Sequence, residues 1–250
     1  MHIVLLFTFD YSLQTWAQSG HLQRELKFYN SLTDKGFKLT FVTYGDEEDL
    51  YILDGTDIQV FPIYTYIKKN RFKIINILKS FYIPFLIKKQ LFDKSKKTLI
   101  KQNQLLGSWV ALILKLITNS KLYTRTGYDM YLFSKNNKKS FLKQIMYYFL
   151  TQITLLFSDL YSVTSKSDLE FLIKNFLYTN KIIVRPNWVE VNLVSTERKE
   201  YNKILAVGRL EEQKNFKELI KGVENTEFEI DIYGEGAQKD SLLKLAIELK

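Results

Sequence analysis

Short, continuously apolar runs, each followed by a stretch of helical periodicity, recur along the first 185 residues and leave few architectures open to the chain. Runs near 2–8, 38–43, 58–62, 97–101, 121–125, 159–163 and 181–184 read as strands, with helical patterns near 20–35, 71–91, 105–118, 139–157 and 166–176 between them. A strand with one face in water alternates polar and apolar residues. Unbroken apolar strands need cover on both faces, which a parallel sheet with helical crossovers provides. The stretch 139–157 is the clearest helix, because Phe141, Leu142, Ile145, Met146, Phe149, Leu150 and Ile153 follow a helical stripe. The expected fold class is therefore α/β, with a Rossmann-like parallel sheet over residues 1–185.

The pattern breaks at Arg185-Pro-Asn-Trp-Val-Glu-Val-Asn-Leu. Pro186 disfavours helix before it, and the polar stretch to Asn202 reads as a linker, so residues 186–202 are assigned to an interdomain segment. A second α/β unit occupies 203–250: strand 203–207, helix 214–223, strand 227–232 and helix 237–249, half of a doubly wound domain. A hydrophobic content of 46% makes disorder a poor description. With no cysteine and only His2 and His21, disulfides, thiolate nucleophiles and Cys/His zinc sites are ruled out or disfavoured. The start, Met-His-Ile-Val-Leu-Leu-Phe, reads as a first core strand and not as a signal peptide.

The segment Ile204-Leu-Ala-Val-Gly-Arg-Leu-Glu-Glu-Gln-Lys-Asn215 carries the most chemistry. A strand, a glycine turn at Gly208 and two cations at the start of a helix form a phosphate-binding design. The glycine permits close approach, the helix start supplies N–H groups, and Arg209 and Lys214 meet the anion. The alternative is a solvated helix start, with Arg209 paired to Glu211 or Glu212. Further candidates lie where the first-unit strands end, the usual binding edge of open α/β sheets. They are Asp10 and Trp16 after the first strand, Asn103 after 97–101, and Arg125 after 121–125. Trp16 either stacks on a ligand or covers its loop, and Arg125 either meets an anion or pairs with Asp129.

Taken in order, these pieces resemble the family 4 glycosyltransferases, retaining enzymes of GT-B type with two facing Rossmann-like domains. Val207-Gly-Arg-Leu-Glu-Glu-Gln-Lys-Asn215 is similar to that family's donor-phosphate motif, and Ile232-Tyr-Gly-Glu-Gly236 to its glycine turn after the next strand. Arg185-Pro-Asn-Trp-Val189 is similar to its interdomain segment, and Tyr161-Ser-Val-Thr-Ser165 to its last N-domain strand. Asp10 to Gly20, Arg24-Glu25, Lys101-Gln-Asn-Gln104 and Gly107-Ser-Trp109 resemble a bacterial subgroup. The chain departs from the family in keeping only Ser19-Gly20 of a double glycine. The family's second-domain pair of glutamates, separated by seven residues, is expected further along than Lys250, as in a C-terminally truncated member; Glu227 and Glu235 have the spacing but bracket a strand.

The resemblance implies transfer of a sugar from a nucleotide-sugar donor, as co-substrate, to a glycan or lipid-linked acceptor in cell-surface polysaccharide or lipopolysaccharide synthesis. Arg209 and Lys214 would stabilise the leaving diphosphate. Gly208, Gly234 and Gly236 would line the donor site, and the N–H groups of Gly20 and His21, at the first long helix, would support the diphosphate from the other domain. His21 is either a base or a helix-capping residue. Asp10, Trp16, Asn103 and Arg125 would lie on the acceptor side. No Asp-x-Asp motif occurs, so neither metal nor other cofactor is expected. A two-domain epimerase or phosphorylase shares the architecture, and a non-catalytic remnant of a glycosyltransferase is a further alternative.

The net charge of +9 is local: residues 67–101 hold 11 basic residues against Asp93, while the other segments sum to −1. Lysines interleaved there with Phe72, Ile74, Leu78, Phe81, Tyr82 and Phe85 suit an anionic membrane surface. The alternative is an ordinary amphipathic helix on its own sheet, which Pro84 would kink or end. The longest charge-free run, Gln144 to Ser158, has 15 residues and is too short to span a bilayer. A cytoplasmic, peripheral protein is expected. Nucleic-acid binding through the basic segment is a competing reading, disfavoured because no nucleic-acid module accompanies the charge.

Overall fold

A computed structural model describes residues 1–93, 95–127, 129–189 and 202–249. The chain divides into two compact units, Met1–Val189 and residues 190–250.

The first unit opens with β1 (His2–Leu6), α1 (Leu13–Gln18) and α2 (Leu22–Thr33), followed by β2 (Lys38–Thr43), α3 (Glu48–Ile52) and β3 (Ile58–Pro62). The chain then crosses to the other side of β1 through α4 (Lys73–Ser80) and α5 (Ile83–Leu91). There follow β4 (Thr98–Asn103), α6 (Ser108–Thr118), β5 (Lys121–Arg125), α7 (Met130–Asn136), α8 (Phe141–Phe157), β6 (Leu160–Val163), α9 (Lys166–Asn175) and β7 (Ile182–Val184). The seven strands form one parallel sheet in the order β3-β2-β1-β4-β5-β6-β7. Val4 faces Thr40 of β2 on one side and Ile100 of β4 on the other. All five residues of β1 are buried.

The pleat sorts side chains into two cores. Val4, Leu6, Ile100 and Leu122 pack with Ile83, Ile87, Val110 and Leu114 of α5 and α6. Ile3, Leu5, Leu39 and Phe41 pack with Leu13 and Tyr29 of α1 and α2. Each such side chain, fully buried, contributes about 1.5–3 kcal/mol. The strands fall close to where the apolar runs place them. The expected helix 71–91 is two helices, with Pro84 in the first turn of α5, where its missing N–H costs little. The expected helix 20–35 is preceded by the separate α1. Neither α1, α3 nor α7 was expected; they have 6, 5 and 7 residues, too few to show a period.

In the second unit β8 (Lys203–Val207) pairs in parallel with β9 (Glu229–Tyr233), and α10 (Phe216–Gly222) and α11 (Lys239–Glu248) cover one face. Leu210, Phe216 and Leu242 form its core. The opposite face leaves Leu205 and Val207 67% and 73% exposed.

The start of α1 depends on Asp49. This wholly buried carboxylate on α3 accepts from the N–H groups of Leu13 (3.1 Å) and Gln14 (3.3 Å) and from Thr43 Oγ1 (2.5 Å). Gly45 leaves it room: a Cβ there would lie 2.0 Å from Asp49 Oδ2. Asp49→Ala strands three donors and should cost about 2–4 kcal/mol in urea unfolding of the first unit. Unaltered stability would contradict this role.

Candidate functional site

In the first unit β1 and β4 are neighbours whose crossovers leave in opposite directions, the place in an open α/β sheet where ligands bind outside the carboxyl ends. Loops after β1, β4 and β5 are sewn together there. Phe9 N–H donates to Leu106 O at 3.0 Å and Gln104 N–H to Arg125 O at 2.7 Å, while Gln104 Oε1 accepts from Gly127 N–H at 3.1 Å. Gly107 has φ of 95° and a Cβ on it would sit 3.1 Å from Phe9 N, so both its conformation and the close approach require glycine.

The predicted residues at these strand ends separate into different roles. Asp10 is held by Lys69 Nζ at 3.2 Å and by the Tyr64 hydroxyl at 3.4 Å. Trp16 turns inward and stacks on Phe7 with centroids 4.2 Å apart, so it covers its loop. Gly20 and His21 require a correction. Their backbone N–H groups close the end of α1, Gly20 onto Ala17 O at 3.1 Å and His21 onto Trp16 O at 3.0 Å. They are therefore not free donors for a phosphate. Gly20, at φ 70°, is the left-handed residue that ends one helix so that α2 can begin. The His21 ring meets the Ser19 hydroxyl at 2.7 Å and makes no side-chain cap.

Arg125 does not pair with Asp129, which instead caps α7 by accepting from Leu132 N–H at 2.7 Å. Its guanidinium donates to Arg185 O (3.0 Å) and Asn187 Oδ1 (2.8 Å), clamping the Arg185-Pro-Asn segment to the end of β5. Asn103 Oδ1 is buried without a partner among the described residues.

Lys101, two residues before Asn103 on the same face of β4, was quoted in the sequence motif without a role of its own. Its Nζ donates to the Tyr29 hydroxyl at 2.7 Å and lies over the rings of Tyr29, Phe28 and Tyr123 at 4.7, 5.3 and 6.0 Å. Burial, then repulsion from Arg125, lowers its pKa to about 8, with Glu25 opposing. A lysine in the middle of an apolar strand pattern is the sequence signal for such a group.

In the second unit the loops after β8 and β9 run side by side. Gly208 N–H donates to Tyr233 O at 3.0 Å, Leu210 N–H to Glu235 O at 2.9 Å, and Gln238 N–H back to Leu210 O at 2.9 Å. Gly234 and Gly236 make this possible: a Cβ would lie 1.8 Å from Gly208 O at the first and 2.4 Å from Leu210 O at the second. Arg209, between the two bonded residues, points to solvent. Lys214 is in a 3₁₀ turn before α10, not inside the expected helix 214–223, and its Cδ is 3.9 Å from where a Gly208 Cβ would be. Neither Arg209 nor Lys214 pairs with Glu211, Glu212 or any other side chain among the described residues. The result is a glycine turn flanked by two exposed, uncompensated cations, an arrangement suited to an anion such as a diphosphate. Among the described residues no group of histidine and acidic side chains is placed to hold a metal ion.

No protein-family model and no curated protein matches the chain. Solved structures do. Sucrose-phosphate synthase from Thermosynechococcus elongatus is 13% identical with a TM-score of 0.69, over 100% of this chain and 68% of that one. Anabaena HepE in complex with UDP is 13% identical with a TM-score of 0.62, over 100% and 66%. S. aureus TarM, in a complex that includes UDP, is 15% identical with a TM-score of 0.53, over 70% and 34%. The chain thus spans about a third of TarM and about two thirds of the other two. The fold is α/β and Rossmann-like, matching GT-B glycosyltransferases.

Two predictions follow from these geometries. The Lys101 ammonium is disfavoured in the fold relative to the unfolded chain, where its pKa is 10.5. The unfolded chain therefore binds the extra proton between about pH 8 and 10.5, and stability rises with pH across that window. Lys101→Met should remove this rise, measured by denaturant unfolding at pH values on both sides of about 8; an unchanged slope would contradict it. Gly234→Ala should push the two second-unit loops apart and melt that unit at lower temperature, read by amide exchange at Gly208 and Leu210. Unaltered protection there would show that the approach is not tight.

Proposed function

We propose that the chain acts in glycosyl transfer from a nucleotide-sugar donor, with the second-unit loop Gly208–Lys214 receiving the donor's diphosphate. The observation that carries this reading is the uncompensated pair Arg209 and Lys214 beside a glycine turn at the carboxyl end of β8. As the glycosidic bond breaks, charge accumulates on the leaving diphosphate. A bidentate guanidinium and a lysine point charge stabilise that charge more than they stabilise the intact donor. The UDP in the HepE and TarM structures belongs to those proteins; it makes a uridine nucleotide the first donor to test here.

The acceptor side is assigned to the strand ends of the first unit, where Asn103 and Lys101 stand on β4 and Asp10 on the loop after β1. The acceptor is proposed to be a glycan or a lipid-linked sugar, and the reaction to proceed with retention. Arg125 serves that side as a positioning residue, through the segment it clamps.

A peripheral membrane contact through residues 67–101 is part of the proposal. Phe72, Ile74, Leu78 and Phe85 are each more than half exposed among the lysines of that segment. No helix among the described residues is long and apolar enough to cross a membrane.

Calorimetric titration of the chain with UDP and a panel of nucleotide sugars tests the donor site. Arg209→Ala and Lys214→Ala should each weaken binding by about 10- to 100-fold, the loss of a charge-assisted phosphate contact. Unchanged affinity in both variants would overturn the assignment. Binding without turnover would favour the non-catalytic reading.

A further inference from the structure

Helix α8 carries more large apolar side chains on its outer side than on its inner one. The stripe that identifies it in the sequence faces away from the sheet: Phe141 and Leu142 are each 77% exposed and Phe149 57%, with Ile145, Met146 and Ile153 exposed beside them. At 100° per residue these six side chains cover a sector about 140° wide. The inward side packs through Leu155 and Tyr148, the latter stacked on Phe176 at 5.0 Å. Thr151 and Thr154 are buried beside them, and Thr154 Oγ1 donates to Ser108 Oγ of α6 at 3.1 Å, so Leu155 is the one large aliphatic side chain of α8 that is fully buried. A helix in contact with water alone places such residues the other way round, so the outward stripe calls for an apolar surface.

The charge around the stripe identifies that surface. From Met130 to Ser158 there is no acidic residue, while Lys135, Lys138, Lys139 and Lys143 lie on α7, the connecting turn and the first turn of α8. All four are exposed, and none pairs with an acidic side chain among the described residues. A second copy meeting this face would find no carboxylate between 130 and 158 to receive them. An anionic lipid surface meets both requirements: lysines reach phosphate headgroups while aromatic and aliphatic side chains enter the acyl boundary. At 17 residues the helix is about 25 Å long, enough to lie along the interface. Its neighbours in the same layer point the same chemistry outward, Leu116 from α6 and Phe85 with Lys88 and Lys89 from α5.

We propose that α8, with the lysines that precede it, is a membrane-docking helix that lies flat on an anionic bilayer. It rests on the peripheral reading of residues 67–101 only in sharing the lipid partner, and it is independent of the glycosyl-transfer reading. It places a second contact on a helix that the basic segment does not include.

Co-sedimentation of the whole chain with vesicles of phosphatidylcholine alone, and of phosphatidylcholine with phosphatidylglycerol, tests it. The chain should bind the anionic vesicles and release partly in high salt. Leu142→Gln with Phe149→Gln should lower binding at least tenfold while far-UV circular dichroism and melting are retained. Lys138→Glu with Lys139→Glu should lower binding to anionic vesicles only. Equal binding by Leu142→Gln/Phe149→Gln would overturn the α8 proposal while leaving residues 67–101 as the contact. Absence of binding by the unaltered chain would overturn both contacts. A lipid-free dimer, seen by analytical ultracentrifugation and abolished by the same double variant, would also overturn the proposal and assign the face to a second copy.

Discussion

A parallel sheet must be covered on both faces, and the organisation of the first unit follows from how that cover is divided at β1. Ile3 to Leu6 of its five buried residues alternate between two cores, one closed by α1 and α2 and the other by α5 and α6. Because the chain leaves β1 towards β2 and returns to add β4 on the other side, the covering helices part at this strand. The loops at the carboxyl ends of β1 and β4 then meet, Phe9 N–H donating to Leu106 O. Asp49 is the buried polar counterpart of this arrangement. Its carboxylate replaces the water that the α1 amides would otherwise need, and it fixes where the first loop can run.

Both candidate sites use glycine for spacing more than for phosphate contact. Gly107 admits the β1 loop to the β4 loop, and Gly234 and Gly236 admit the β9 loop to the β8 loop. With the N–H groups of Gly208 and Leu210 bonded to the neighbouring loop, the proposed diphosphate contact would fall to the side chains of Arg209 and Lys214 and to the N–H of Arg209 between them. The rigid pairing of the two loops pre-organises those cations, so less ordering accompanies binding.

The strands were legible because burial on both faces writes itself as continuous apolar runs. The Gly208–Lys214 turn was legible because strand, glycine and two cations follow in order. Direction was not legible. Periodicity identified α8 as a helix, but a stripe carries no sign, and only the structure shows Phe141, Leu142 and Phe149 turned outward. The same blindness affected Gly20 and His21. The helical pattern near 20–35 hid a break in which two short segments meet, and the donors assigned to a ligand are those that end α1. For Arg125 the sequence offers an anionic ligand or Asp129, four residues away, and neither names its actual partners. Its partners at 185 and 187 are brought to it only when β5, β6 and β7 align.

The central claim is that the second unit binds a nucleotide diphosphate through Gly208–Lys214. Amide and side-chain NMR of the isotopically labelled chain during addition of a uridine diphosphate sugar tests it directly. The account predicts saturable shifts centred on Gly208, Arg209, Leu210 and Lys214, including the arginine side-chain Nε–H signal, with β9 following through its backbone bonds. Saturable shifts confined to other residues, or none at millimolar ligand, would contradict it.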